Sequence, residues 1–226
     1  MFFNSPFKIF ALTGICLFIG IAQPDKVRAD SPLTSTDLAI AYQDLPIVRL
    51  AQQEKKVQGR ILTFLLGNAP NDQKAAVINA LGTRFEGQNN ANLFLVGLAQ
   101  EKRIPLDRIT LNDLSSSDRF VLGYLLAMDT YLELSPLRPN ATDDLWGASP
   151  LELISQAAFA LPNDFTVHFI YALVQGQSDF SSSWCSIYLA PNLVLKLFPQ
   201  PRRNMRQDAI NSAMDYINLY RPNCEK

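Results

Sequence analysis

Apolar and polar positions alternate along this chain with the period of helices, broken by short polar turns. Between 46 and 66, Ile47, Leu50, Val57, Ile61 and Leu65 share one side, while Gln52, Gln53, Glu54, Lys55 and Lys56 lie opposite. That spacing predicts an amphipathic helix. Pro70-Asn71-Asp72 opens a second helix, which Gly82 ends; proline at the start and glycine past the end is the usual asymmetry. Another opens at Asn90, runs through Leu93, Phe94, Val96 and Leu98, and closes on Lys102, Arg103 and Pro105. Cations at that end face the partial negative charge of the helix C-terminus. The serines 115–117 offer caps. Residues 120–134 behind them are apolar nearly all round, the pattern of a central buried helix. Ser149-Pro150-Leu151-Glu152 combines a serine cap, proline at the first helical position and glutamate for a capping box. The last helix is expected from about 204 to 220, with Met205, Ala209, Ala213 and Ile217 four residues apart.

Two segments fit either period. Residues 165–174 alternate enough for a strand, and 183–198, with Pro191-Asn192 in the middle, could form a β-hairpin. An internal repeat bears on the first. Pro70, Asn71, Asp72, Ile78, Ala80 and Leu81 recur as Pro162, Asn163, Asp164, Ile170, Ala172 and Leu173 without a gap. The earlier copy has few strand formers, so both copies read as helix. The expected fold is therefore all-α, an irregular multi-helix domain of stacked α-hairpins. The alternative is α+β, with a small antiparallel C-terminal hairpin near 183–198. The Pro-Asn pairs at 70, 139, 162, 191 and 222 each fall where a turn or helix start is needed. The stretch Ala157-Ala158-Phe159-Ala160-Leu161-Pro162-Asn163-Asp164, through Tyr171-Ala172 to Gly176-Gln177-Ser178-Asp179-Phe180, resembles a degenerate tetratricopeptide unit. The tryptophan, glycine and tyrosine of that family's first helix are not in register, and the resemblance implies only helical hairpins stacked side by side.

Residues 9 to 22 form a charge-free run behind Lys8. As helix it would be about 21 Å long, short of a bilayer core of ~30 Å and well sized for a signal peptide. Val27-Arg28-Ala29 supplies small residues at −3 and −1. Residues 1–29 are thus expected to be a removable signal peptide. Residues 30–226 are expected to form one mostly helical domain, with 135–148 the place for any sub-boundary. The expected location is periplasmic, secreted or an equivalent non-cytoplasmic compartment, with no stable membrane span after cleavage. Without the signal, 17 basic residues face 20 acidic ones, a net charge of −3. That balance excludes the concentrated basic face of a nucleic-acid binder. Cys16 leaves with the signal, so Cys185 and Cys224 remain as an even pair and are expected to form a disulfide.

Candidate chemistry is sparse. His168 is the only histidine, its neighbours at helical spacing are apolar, and two distant cysteines do not complete a zinc set. The domain lacks Gly-x-Ser-x-Gly, Ser-x-x-Lys and phosphate-cradling glycine loops. No catalytic residue, metal or cofactor is assigned on these grounds. Asp129 and Glu133 stand four apart in the apolar helix, where burial and like charge could raise one pKa. Such a pair would suit a carboxylate-dependent hydrolase of cell-wall glycan. The aperiodic stretch 135–148 sets Trp146 beside Asp143 and Asp144, and an exposed tryptophan there would suit a sugar or peptide contact. Arg202, Arg203 and Arg206 cluster before the last helix and could meet an anion or a partner's acidic patch. The leading expectation is an exported helical protein that acts without catalysis, through contacts with a protein or another envelope component. The glycan hydrolase is the alternative.

Overall fold

A computed structural model describes residues 31–224, so the signal-peptide expectation for 1–29 lies outside the described residues. Nine α-helices and no strand are found among them. They are α1 (Pro46–Glu54), α2 (Gly59–Leu66), α3 (Asn71–Leu81), α4 (Asn90–Lys102), α5 (Ser116–Asp129), α6 (Pro150–Ala160), α7 (Phe165–Ser178), α8 (Trp184–Leu197) and α9 (Gln207–Ile217). The all-α expectation holds. None of these helices is long and apolar enough to cross a membrane.

Local chemistry explains most starts. Ser115 and Ser149 each accept from the backbone N–H three residues on, and Asp118 and Glu152 reach back to the serine N–H groups. Two first-turn donors are satisfied at each end. The periodic stretch 46–66 is two helices rather than one, because Lys55 adopts φ +51° and ends α1. The C-terminal β-hairpin is not formed, and 183–198 is helix. Pro191 sits inside α8 on its buried side. The missing proline N–H removes one ladder bond, while Asn192 Nδ2 donates to the Tyr188 carbonyl a turn below, at 2.8 Å. The helix expected at 120–134 ends at Asp129, where the Thr130 hydroxyl bonds back to the Leu126 carbonyl at 2.9 Å.

α5 is the axis of the core, buried at every position from Phe120 to Asp129. It forms a close hairpin with α6 and also packs against α3, α4 and α7, while α7 pairs with α8. Gly123 permits the α5–α6 approach. A Cβ there would lie 2.7 Å from Ile154 Cγ1, 3.0 Å from Leu153 Cβ and 3.1 Å from the Ile154 backbone nitrogen. Backbone cannot swing aside as a side chain can. Gly123→Val is therefore expected to lower stability by about 1–3 kcal/mol, read as a shift in urea midpoint.

The first described segment is closed over by α3 on one side and by α9 with its preceding residue on the other. Asn79 on α3 clasps the 36–39 turn, donating to the Thr36 carbonyl and accepting from Ala39 N. From the other side, Ser212 on α9 donates to the Asp37 carbonyl at 2.9 Å. Arg206 donates to the Ala41 carbonyl at 2.7 Å. The expected Cys185–Cys224 bridge joins the start of α8 to the terminal turn, with Cα atoms 4.8 Å apart.

Candidate functional site

Trp146 is buried, at 6% exposure, which corrects the expectation of an exposed contact residue. The cause is that the 135–148 loop folds on itself. Asp143 Oδ1 accepts from the N–H groups of Leu145 and Trp146, and the Trp146 carbonyl accepts from Arg138 N. The Arg138 guanidinium then lies over the indole, 3.7 Å from its centroid. Asp143 thus organises a turn, whereas Asp144 faces solvent.

The three arginines do not form one patch. Arg202 donates to the Leu197 carbonyl, and Arg203 to those of Leu195 and Phe198. Both cap the C-terminus of α8, where cations are favoured. Arg206 is paired with Asp44 through both guanidinium nitrogens and lies over the Tyr42 ring. His168 packs 5.2 Å from the Phe198 ring.

Asp129 and Glu133 line one recess of about 210 Å³, together with Arg84, Phe85, Glu86 and Tyr131. Glu133 is exposed and Asp129 is 3% exposed. Asp129 Oδ2 accepts from Ala91 N at 2.7 Å, inside the first turn of α4, so this side chain from α5 caps its neighbour. Oδ1 is sealed from solvent and has no hydrogen-bond partner among the described residues. Burial raises its pKa to about 7, partly offset by the backbone donors at Ala91 and Asn90. Neither oxygen is free to reach a substrate in the recess.

A different cluster forms where α3, α5 and α7 begin. Lys74 on α3 is 2% exposed, and its Nζ donates to Ser117 Oγ at 3.0 Å. Ser117 donates to Asn71 Oδ1 at 3.0 Å. Asn71 Nδ2 donates to Asp164 Oδ2 at 2.7 Å, and Asn204 Nδ2 to Asp164 Oδ1 at 2.9 Å. These five side chains line an open pocket of about 370 Å³, walled on its apolar side by Leu66, Ala69 and Pro70. Burial lowers the Lys74 pKa against the opposing charges of Asp118 and Glu101. None of these residues was a sequence candidate. Two signals could have found them. Lys74 falls four and seven residues before Ile78 and Leu81, on the buried side of its helix. The two Pro-Asn-Asp copies also meet here, Asn71 of one bonding Asp164 of the other.

A row of exposed apolar side chains runs along α8. Ile187, Pro191 and Val194 face the core, while Leu189, Leu193 and Leu197 form a row on the other side, 54%, 57% and 57% exposed. At ~1.5 Å per residue the row is about 12 Å long. Trp184, at the foot of α8, is exposed as well and touches Tyr220 edge to face. Lys196 and Arg202 flank the far end, and α8 carries no acidic residue. No family model, curated protein or solved structure matches this chain.

Proposed function

We propose that this is an exported protein that works by docking a partner on the leucine ridge of α8. The observation that carries the reading is the ridge itself. Three leucines stay in water one helical turn apart on a single helix, whereas Ile40, Phe85, Leu132, Phe159 and Leu219, which are exposed as well, belong to other elements or turns. Contiguous exposed apolar surface rimmed by charge marks an interaction site. The partner is an amphipathic helix from another envelope protein, with an apolar row to lie along the ridge and carboxylates to meet Lys196 and Arg202. A second copy of the ridge fits less well, because α8 contains no carboxylate to offer those cations. Export is supported by the charge-free run behind Lys8 and by the Cys185–Cys224 pair. The glycan-hydrolase alternative loses support, since its acid would have to be Asp129, whose oxygens are spent on α4 or sealed away.

A photo-crosslinker at Leu193, activated in the native compartment, tests the docking reading. The expected product is one discrete adduct whose crosslinked peptide is an amphipathic, acidic helix. Leu197→Glu should remove it and weaken binding by about 2 kcal/mol, the scale of a central interface residue, while the thermal midpoint stays unchanged. No discrete adduct, or one indifferent to Leu197→Glu, refutes the reading.

A further inference from the structure

We infer that Ser117 is an acyl-accepting nucleophile with Lys74 as its base, which gives this domain an esterase activity separate from the α8 ridge. Three observations meet at one pocket. Ser117 Oγ and Lys74 Nζ are 3.0 Å apart, within the reach a nucleophile and its general base require. With Lys74 as the ammonium, Oγ accepts from Nζ and its O–H rests on Asn71 Oδ1, whose amide is itself oriented by Asp164. Ser117 also lies in the first turn of α5, where the backbone N–H groups of Ser116 and Ser117 have no acceptor among the described residues. An oxyanion formed on a carbonyl beside Oγ would find those two donors and the positive end of the helix dipole.

Lys74 has the character a base needs. No carboxylate pairs with its ammonium within salt-bridge distance among the described residues, and its one side-chain partner is a neutral hydroxyl. A buried, unpaired ammonium is costly, so its neutral amine is favoured over that of an exposed lysine. With the amine neutral, the Ser117 hydroxyl rotates to donate to Nζ. Oγ bonds to the carbonyl carbon as its proton passes to Nζ. The bond to the leaving alcohol then breaks, and Nζ returns the proton to the departing oxygen. Water, giving its proton to Nζ, next attacks the acyl carbon; the acid leaves, and the proton returns to Oγ.

The pocket sets the substrate class. Its volume of about 370 Å³ and its wall of Leu66, Ala69 and Pro70 suit a short acyl chain. Asp118 and Asp164 also line the pocket and disfavour an anionic substrate, so the substrate is a neutral ester.

The test uses a fluorophosphonate probe, which reports attack by Oγ on phosphorus with loss of fluoride. The folded wild-type protein should gain one probe mass, mapped to Ser117 by peptide mass spectrometry, and should hydrolyse p-nitrophenyl acetate. Ser117→Ala should lose both. Lys74→Met removes the base but fills the same buried volume, and should slow labelling about 100-fold or more without lowering the thermal midpoint. A purely structural Lys74 would leave the labelling rate of the folded variant unchanged, and that result overturns the proposal. So does a wild-type protein with no adduct at Ser117, which needs no variant to fold. Loss of the α8 crosslink leaves this outcome untouched, so the two readings fail separately.

Discussion

Replacing Asp129 by asparagine will stabilise the domain by about 2–4 kcal/mol at pH 8 and change it little at pH 4. The folded state holds the Asp129 proton up to about pH 7 because burial penalises the anion. The unfolded chain releases it near 4. Between those values the folded state binds more protons, so stability falls as pH rises. It is full below about 4, lost progressively through 7, and flat above. Three pH units correspond to about 4 kcal/mol, an upper figure for one carboxyl. The charged groups around the same recess are Arg84 and Glu86 from the turn before α4, and Glu133 just beyond α5; the backbone donors at Ala91 and Asn90 shrink the effect. Asparagine keeps an oxygen for the Ala91 N–H and carries no charge to desolvate. Urea midpoints from pH 4 to 8 check this: wild type should decline with pH and the variant should not. Parallel profiles would show that Asp129 ionises in the folded state as it does in the unfolded one.

The second large effect is that of the Cys185–Cys224 bridge. It closes 39 residues of sequence, and a loop of that size is worth roughly 4 kcal/mol in the chain-entropy model. The loop contains α9, which clasps the 37–44 segment, so reduction loosens both the C-terminal turn and the first described residues. The double variant Cys185→Ser, Cys224→Ser, or dithiothreitol on the wild type, should lower the unfolding free energy by about 2–5 kcal/mol. Equal stability with and without reductant would mean that the bridge does not constrain the unfolded chain.

Helix starts were legible where the signal is local. Ser115, Ser149 and Pro70 each announce a helix through chemistry confined to four residues. The 183–198 segment was not, because Pro191 and the alternating apolar residues also fit a hairpin, and only packing on α7 decides between them. The break at Lys55 left no trace in the apolar period, since Val57 and Ile61 keep the same side after α1 ends. Trp146 misled for a different reason. Its exposure depends on whether Arg138 and Asp143 fold the loop over it, a matter of tertiary geometry. The Ser117 cluster was out of reach of any motif: Lys74 and Ser117 are 43 residues apart, and Asn71 and Asp164 are 93 apart. The Pro-Asn-Asp repeat held half of that answer, but it served to assign secondary structure rather than proximity.

The clasp between Ser212 and Asp37 spans 175 residues, and that between Arg206 and Asp44 spans 162. Loop closure over such distances is costly and slow compared with forming a helical hairpin. The α5–α6 and α7–α8 hairpins can assemble as soon as their own residues are available. The segment 36–44 cannot. Whichever end of the chain first enters the place where it folds, the domain stays unlatched until the other end follows. The seam between α9 and that opening segment is therefore where a protease or a holding chaperone would find the half-made protein open.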